Sequence, residues 1–214
     1  MKTTNRQKRD EAPGNRERIL ATALRLFALQ GVGATPTSQI SREAGVSTGT
    51  LFHYFPEKAR LVCELHISIK REIAEALRAG DDPADPARQR FERCMRAYIA
   101  WGLANPEKVH LLDQFDYLPD VRDEVKREAH DELAWILGLV QAAVREGVLP
   151  DLPVEFLGVM IVRVLNGILA VIEAGEVAMT REEIVDHGLG MLLGAQERRG
   201  PDEADPLEGP VSRS

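Results

Sequence analysis

Residues 35–58 read TPTSQISREAGVSTGTLFHYFPEK, and the punctuation of this stretch decides the fold. Thr35 and Pro36 open a short helix, a hydroxyl at the cap and proline at the first helical position, where its missing N–H costs nothing. Ile40 and Ala44 face inward from it. Gly45 then supplies the positive φ of a sharp turn, Val46 plugs the corner, and Ser47 caps a second short helix that runs on to residue 55. Leu51 and Phe55, four apart, are its buried side. Two short helices with so little chain between them predict a helix-turn-helix, a unit whose second helix enters a DNA major groove.

Upstream, Ile19, Leu20, Ala23, Leu26 and Phe27 recur at three- and four-residue steps. They predict an amphipathic helix over 16–30, capped by Asn15 and stopped by Gly31 and Gly33. Residues 1–14 hold Lys2, Arg6, Lys8 and Arg9 without apolar periodicity, a basic arm that either touches DNA or is idle. Downstream, Pro56 opens a long helix in which Leu61, Leu65, Ile69, Ile73 and Leu77 repeat every four residues up to Gly80. This helix leaves the head for the body as a lever, and the acidic turn DDPADP at 81–86 ends it.

Leu26-Phe27, Gly31, Thr35, Ile40, Ala44-Gly45-Val46-Ser47, Gly49, Leu51, Phe52, Tyr54-Phe55, Lys58 and Leu61 stand at fixed spacings within about 43 residues. That pattern resembles the DNA-binding domain of the TetR-like transcriptional regulators. The resemblance implies an all-α protein with an N-terminal three-helix helix-turn-helix domain and an α-helical bundle for regulation and dimerisation. It implies phosphate anchors at Thr35 and Lys58, base-edge positions at Ser47, Thr48, Gly49 and Thr50, and backbone contacts from His53 and Tyr54. Thr37 and Ser38 lie on the preceding helix, Ser38 too short to reach far. Phe52 stands where tyrosine is common, so a phosphate bond from that hydroxyl is gone; Ser41 replaces a common alanine and Thr37 a frequent aliphatic residue. Threonine hydroxyls pair with several bases and threonine methyls with thymine. With no Arg or Asn in the second helix to commit to guanine or adenine, the operator is not spelled.

The net charge of −7 hides an uneven distribution: residues 1–60 carry 10 Lys/Arg against 5 Asp/Glu, and residues 61–214 carry 17 against 29. A basic head on an acidic body fits duplex DNA as partner, because phosphate affinity is local. The composition, 44% apolar and 29% charged, is that of a globular domain. No apolar run approaches the roughly 20 residues of a membrane span and no signal region follows the N-terminus, so the expectation is a cytoplasmic protein without membrane partner. Cys63 and Cys94 have no metal-ligand spacing and read as buried or idle thiols. No nucleophile elbow, phosphate loop or metal cluster stands out, so no cofactor, metal or enzymatic activity is expected.

The predicted domains are a head at 15–60, a ligand-binding and dimerisation body at 61–199 and a disordered tail at 200–214, with about nine helices in all. Phe91, Met95, Tyr98 and Trp101 line one side of a helix over 86–104; Phe115 closes one over 106–116, and Trp135 belongs to one over 121–147. Such stripes are either core or ligand pocket. His66, His110, Arg163 and Asn166 are polar exceptions in this apolar body, each either a structural hydrogen-bonder or an orienting group for a small molecule. The helix over 154–174 is apolar nearly all round, and that over 180–198 carries small residues that allow close approach. Phe156, Met160, Val164, Ile168, Ile184, Gly188, Met191 and Leu192 are the expected homodimer interface. The function expected is a homodimeric repressor of a palindromic operator, released by an unknown, largely apolar effector; the alternative is a dimer whose body binds a protein or no effector.

Overall fold

The computed structural model describes residues 14–116 and 130–194. Among them are nine helices and no strand: α1 Asn15–Gln30, α2 Thr37–Glu43, α3 Thr48–Tyr54, α4 Lys58–Arg78, α5 Ala87–Ala104, α6 Pro106–Asp116, α7 His130–Arg145, α8 Val154–Ala174 and α9 Arg181–Leu193. The arm, the tail and the start of the helix expected over 121–147 fall outside the described residues.

The head is built as the periodicity requires. Ile19, Ala23, Leu26 and Phe27 of α1 meet Ile40 of α2, Leu51 of α3 and Phe55, all buried. Gly31 ends α1 at φ 83°, where its N–H returns to the Phe27 carbonyl. Two expected caps are corrected. Asn15 is the first residue of α1 rather than its cap, and Gly14 precedes the helix without any side-chain cap bond. Thr35 does not cap α2: Pro36 occupies the cap, while the Thr35 hydroxyl donates to the Gly31 carbonyl at 2.7 Å and accepts from Gln30 Nε2 at 3.2 Å. A buried hydroxyl with two nearby partners is drawn into packing the α1–α2 corner.

The apolar core continues from the head along Leu61, Leu65, Ile69, Ile73 and Leu77 of α4 into the body without a break. There α5 packs against α4, α7 and α8, and α9 packs against α8. Gly102 lets α5 approach α8 closely, since a Cβ on it would lie 2.5 Å from Leu169 Cδ1. The turn before α5 is tied by paired hydrogen bonds of 2.8 Å from Arg90 to Asp81. This guanidinium holds the Asp81 carboxyl below the usual carboxylate range.

The outer helices correct one expectation. α8 is, by length and composition, long and apolar enough to cross a membrane, because its few polar residues are spread along a 21-residue helix. Within the chain one side of it is buried: Leu157, Ile161, Leu165, Ile168 and Leu169 face the core, while Phe156, Val159, Met160, Val162 and Val171 are exposed. α9 begins with a capping box in which Thr180 and Glu183 satisfy each other's backbone N–H groups.

Candidate nucleic-acid interface

The turn between α2 and α3 is held from three sides. Gly45 sits at φ 65°, and a Cβ on it would come within 2.6 Å of the Arg18 guanidinium. The backbone conformation is what favours glycine there, while a side chain would also push the Arg18 guanidinium aside. Arg18 reaches across from α1 to donate to the carbonyls of Ala44 and, at 3.2 Å, Gly45. The Val46 N–H closes the corner on the Ser41 carbonyl at 2.9 Å.

Ser41, a departure from the common alanine, is buried and joins the two helices. Its hydroxyl donates to the Ser38 carbonyl at 3.1 Å, so at the long contact of 3.4 Å to Thr48 Oγ1 the threonine is the donor. Ser47 caps α3 by accepting the Thr50 N–H at 3.0 Å, and its hydroxyl lies 2.8 Å from that of Thr50. Leu51 and Phe55 anchor α3 in the core. The outward face is left to Thr48, Gly49, Phe52, His53 and Tyr54, all exposed, with Thr50 half-buried at the edge. The rings of His53 and Tyr54 meet edge to face at 5.3 Å.

Of the other expected contact residues, Ser38 is exposed on α2 and Thr37 is half-buried. Thr35 is corrected: it is wholly buried, so its side chain has no surface to offer phosphate. Lys58 opens α4 with its ammonium donating to the Val32 carbonyl at 2.5 Å and lying 5.9 Å from the centre of the Phe27 ring. Burial lowers its pKa from the ordinary lysine value. Three contributors escape sequence reasoning. Arg18 looks like a surface charge until the turn folds back on it; Ser41 looks like a tolerated volume change. Arg42 shares the exposed face of α2 with Ser38 one helical turn away. That i,i+4 spacing was the signal available for it.

Among the described residues, no one cavity gathers the ten candidate ligand residues of the body. His66 is buried against Phe115, ring centres 5.1 Å apart, with neither ring nitrogen hydrogen-bonded, and burial pushes its pKa down to about 3. Trp135 lies under the Arg78 guanidinium at 5.2 Å. His66 and Arg78 are separated by about 18 Å along α4. Phe91, Met95, Tyr98, Trp101 and Phe115 are packed core. His110 and Arg163 are exposed, His110 3.4 Å from Glu173 and on the lining of the groove between α5, α6 and α8, and Arg163 3.5 Å from Asp113, because their positions fall on the outer sides of α6 and α8. Asn166 is half-buried and accepts from the Tyr98 hydroxyl at 2.8 Å. Among the described residues, open grooves of about 430, 270 and 230 Å³ lie behind the turn of the head, beside Arg71 and Arg78, and between α5, α6 and α8.

The expected dimer residues also divide. Phe156, Met160 and Met191 are exposed, and Val164, Ile184 and Leu192 are half-buried. Ile168 and Gly188 are corrected: they meet within the chain, where a Cβ on Gly188 would run into the Ile168 side chain, so they form the α8–α9 seam.

Residues 19–65 match the domain described as bacterial regulatory proteins, tetR family. Over 76 residues the chain is 41% identical to the HTH-type transcriptional regulator LmrA of Bacillus subtilis (strain 168), a match covering 33% of this chain and 40% of that protein. It thus spans about two fifths of the length of that curated relative. A longer match, 27% identical over 205 residues and covering 87% of this chain and 95% of the other, is with the probable HTH-type transcriptional regulator ArpR of Pseudomonas putida. The fold is similar to the crystal structure of a tetR family transcription regulator from Shewanella sp. PV-4, with a TM-score of 0.74, 28% identity and coverage of 86% of this chain and 98% of that one.

Proposed function

We propose, from the premise that this chain is a TetR-like regulator, that it is a homodimeric transcriptional repressor that binds an inverted-repeat operator in the cytoplasm and leaves it when a small, largely apolar effector binds the body. The observation that carries DNA binding is the turn clamped by Arg18 and Gly45, which presents Thr48, Gly49, Phe52, His53 and Tyr54 outward on one short helix. A helix offered this way fits a major groove. Lys58, Ser38 and Arg42 flank it with polar and cationic groups for phosphate.

Dimerisation is supported by the open face of α8 and α9. Phe156, Met160 and Met191 leave apolar surface to water, and a second copy covers it symmetrically. Two heads are needed because half-sites lie ~34 to 36 Å apart on one side of the duplex. Control passes through α6, which packs against α1 and α4 and is tied by Lys108 to Glu72 of α4 and by Asp113 to Asn166 of α8 at 3.4 Å. An effector that shifts α6 therefore moves the head and the dimer helices together.

One observation favours the alternative, a dimer that answers to a protein or to nothing: the aromatic stripe of α5 is closed core rather than an open pocket. Selecting duplexes from random pools with the full chain, then challenging the complex with aromatic and acyl compounds, separates the readings. An enriched inverted repeat released by one compound class supports the effector-controlled repressor; an enriched repeat that no compound releases supports the alternative. Absence of any enriched inverted repeat removes both.

A further inference from the structure

The hydroxyls at the start of α3 each have a hydrogen-bond partner within the protein. The Ser47 hydroxyl takes the Thr50 N–H and faces the Thr50 hydroxyl, and the Thr48 proton points to Ser41. Thr48 is itself exposed, so with its hydroxyl proton turned to Ser41 its γ-methyl is the group left to meet a partner. One turn on, at the i+4 position, Phe52 stands 43% exposed with a ring that has no hydrogen-bonding group at all. An exposed phenyl beside a threonine methyl contributes nothing to the core, which Leu51 and Phe55 already fill. Its chemistry matches one feature of the major groove: the thymine C5-methyl is the apolar group that base edges present there.

We infer that Thr48 and Phe52 form an apolar reading edge that selects thymine by its methyl group. This rests on the reading that α3 enters the major groove. Ser41 is the positioning residue, because it turns the Thr48 hydroxyl away and leaves the methyl outward. The hydroxyl-rich look of the helix is therefore misleading: specificity comes from methyl contacts, with the hydroxyls serving to hold the helix in shape.

The test uses the full chain and its selected operator, with thymines replaced one at a time by deoxyuridine, which removes only the methyl. Fluorescence anisotropy should show about a fourfold loss of affinity for each methyl that becomes buried, at one or two thymines of each half-site. Thr48→Ser, which keeps the hydroxyl, and Phe52→Ala should each abolish the uracil effect at one of these positions while leaving circular dichroism and thermal unfolding unchanged. Equal binding of thymine and uracil operators overturns the inference and leaves DNA recognition by α3 standing. A uracil effect that persists undiminished in both variants also overturns it, since the methyl is then read elsewhere or through DNA shape. Failure to select any operator overturns the inference together with the reading beneath it.

Discussion

α3 and α8 each present a face that the chain's own packing does not use, and the two faces have opposite chemistry. α3 has seven residues, a hydroxyl cap, two inward anchors and an outward mixture of threonine, glycine, histidine and aromatic rings. α8 has 21 residues, five inward aliphatic ones and an outward side of Phe156, Val159, Met160, Val162 and Val171. The first is short and rimmed by polar groups, as suits a hydrated, charged partner. The second is long and aliphatic, and Met191 of α9 extends it at 74% exposure, as suits a protein surface. The contrast teaches that a fold can allot its partners by helix length and outward chemistry while using the same inward packing rule for both.

That comparison breaks most sharply at α8. In the proposed dimer, a charge at Phe156, in Phe156→Asp, enters the two-fold interface twice and stays unpaired in each protomer. Self-association should weaken about a thousandfold or more, read by sedimentation equilibrium, and operator affinity should fall with it while the monomer keeps its helical content. An unchanged dimer mass would mean that this face has another partner.

A somewhat smaller effect is expected at the turn before α3. Gly45→Val sets a β-branched residue at φ 65° and drives its Cβ into Arg18. The cost is about 3 kcal/mol, measurable by chemical denaturation, and DNA binding should be lost while the dimer persists. Loss of both together would show that the head and the α8 face fold as one inseparable unit.

The smallest effect concerns α4, which joins the two regions. His66 is buried without hydrogen-bond partners and has its pKa pushed down to about 3, so the unfolded chain binds a proton near the ordinary value of 6.5 that the folded chain does not. Its contribution to stability is therefore intact above pH 6.5 and falls as pH drops from 6.5 toward 3. Between pH 7 and 5 the loss should be about 2 kcal/mol. His66→Leu should flatten that part of the pH profile; an unaltered slope would show that other groups govern it.

The head was legible because its signals are local. Ser47 caps, Gly45 turns, and the steps from Ile19 to Phe27 and from Leu51 to Phe55 each lie within a few residues of chain. The resemblance implies a phosphate anchor at Thr35 and the local sequence a cap, and neither shows that the end of α1 buries its side chain. The body was legible as helices but not as a site. His66 and Trp135 look alike as isolated polar or aromatic exceptions in an apolar stretch, yet His66 packs on Phe115 near the middle of α4 and Trp135 lies under Arg78 at its end.

The sequence by itself therefore determined the helices, the turn and the kinship of residues 19–65, since periodicity and turn chemistry are properties of neighbouring residues. Tertiary structure alone decided the direction of α8. A helix apolar nearly all round carries a period without a phase, and only the helices packed against it settle that Ile168 turns inward to Gly188 while Phe156 and Met160 remain outside.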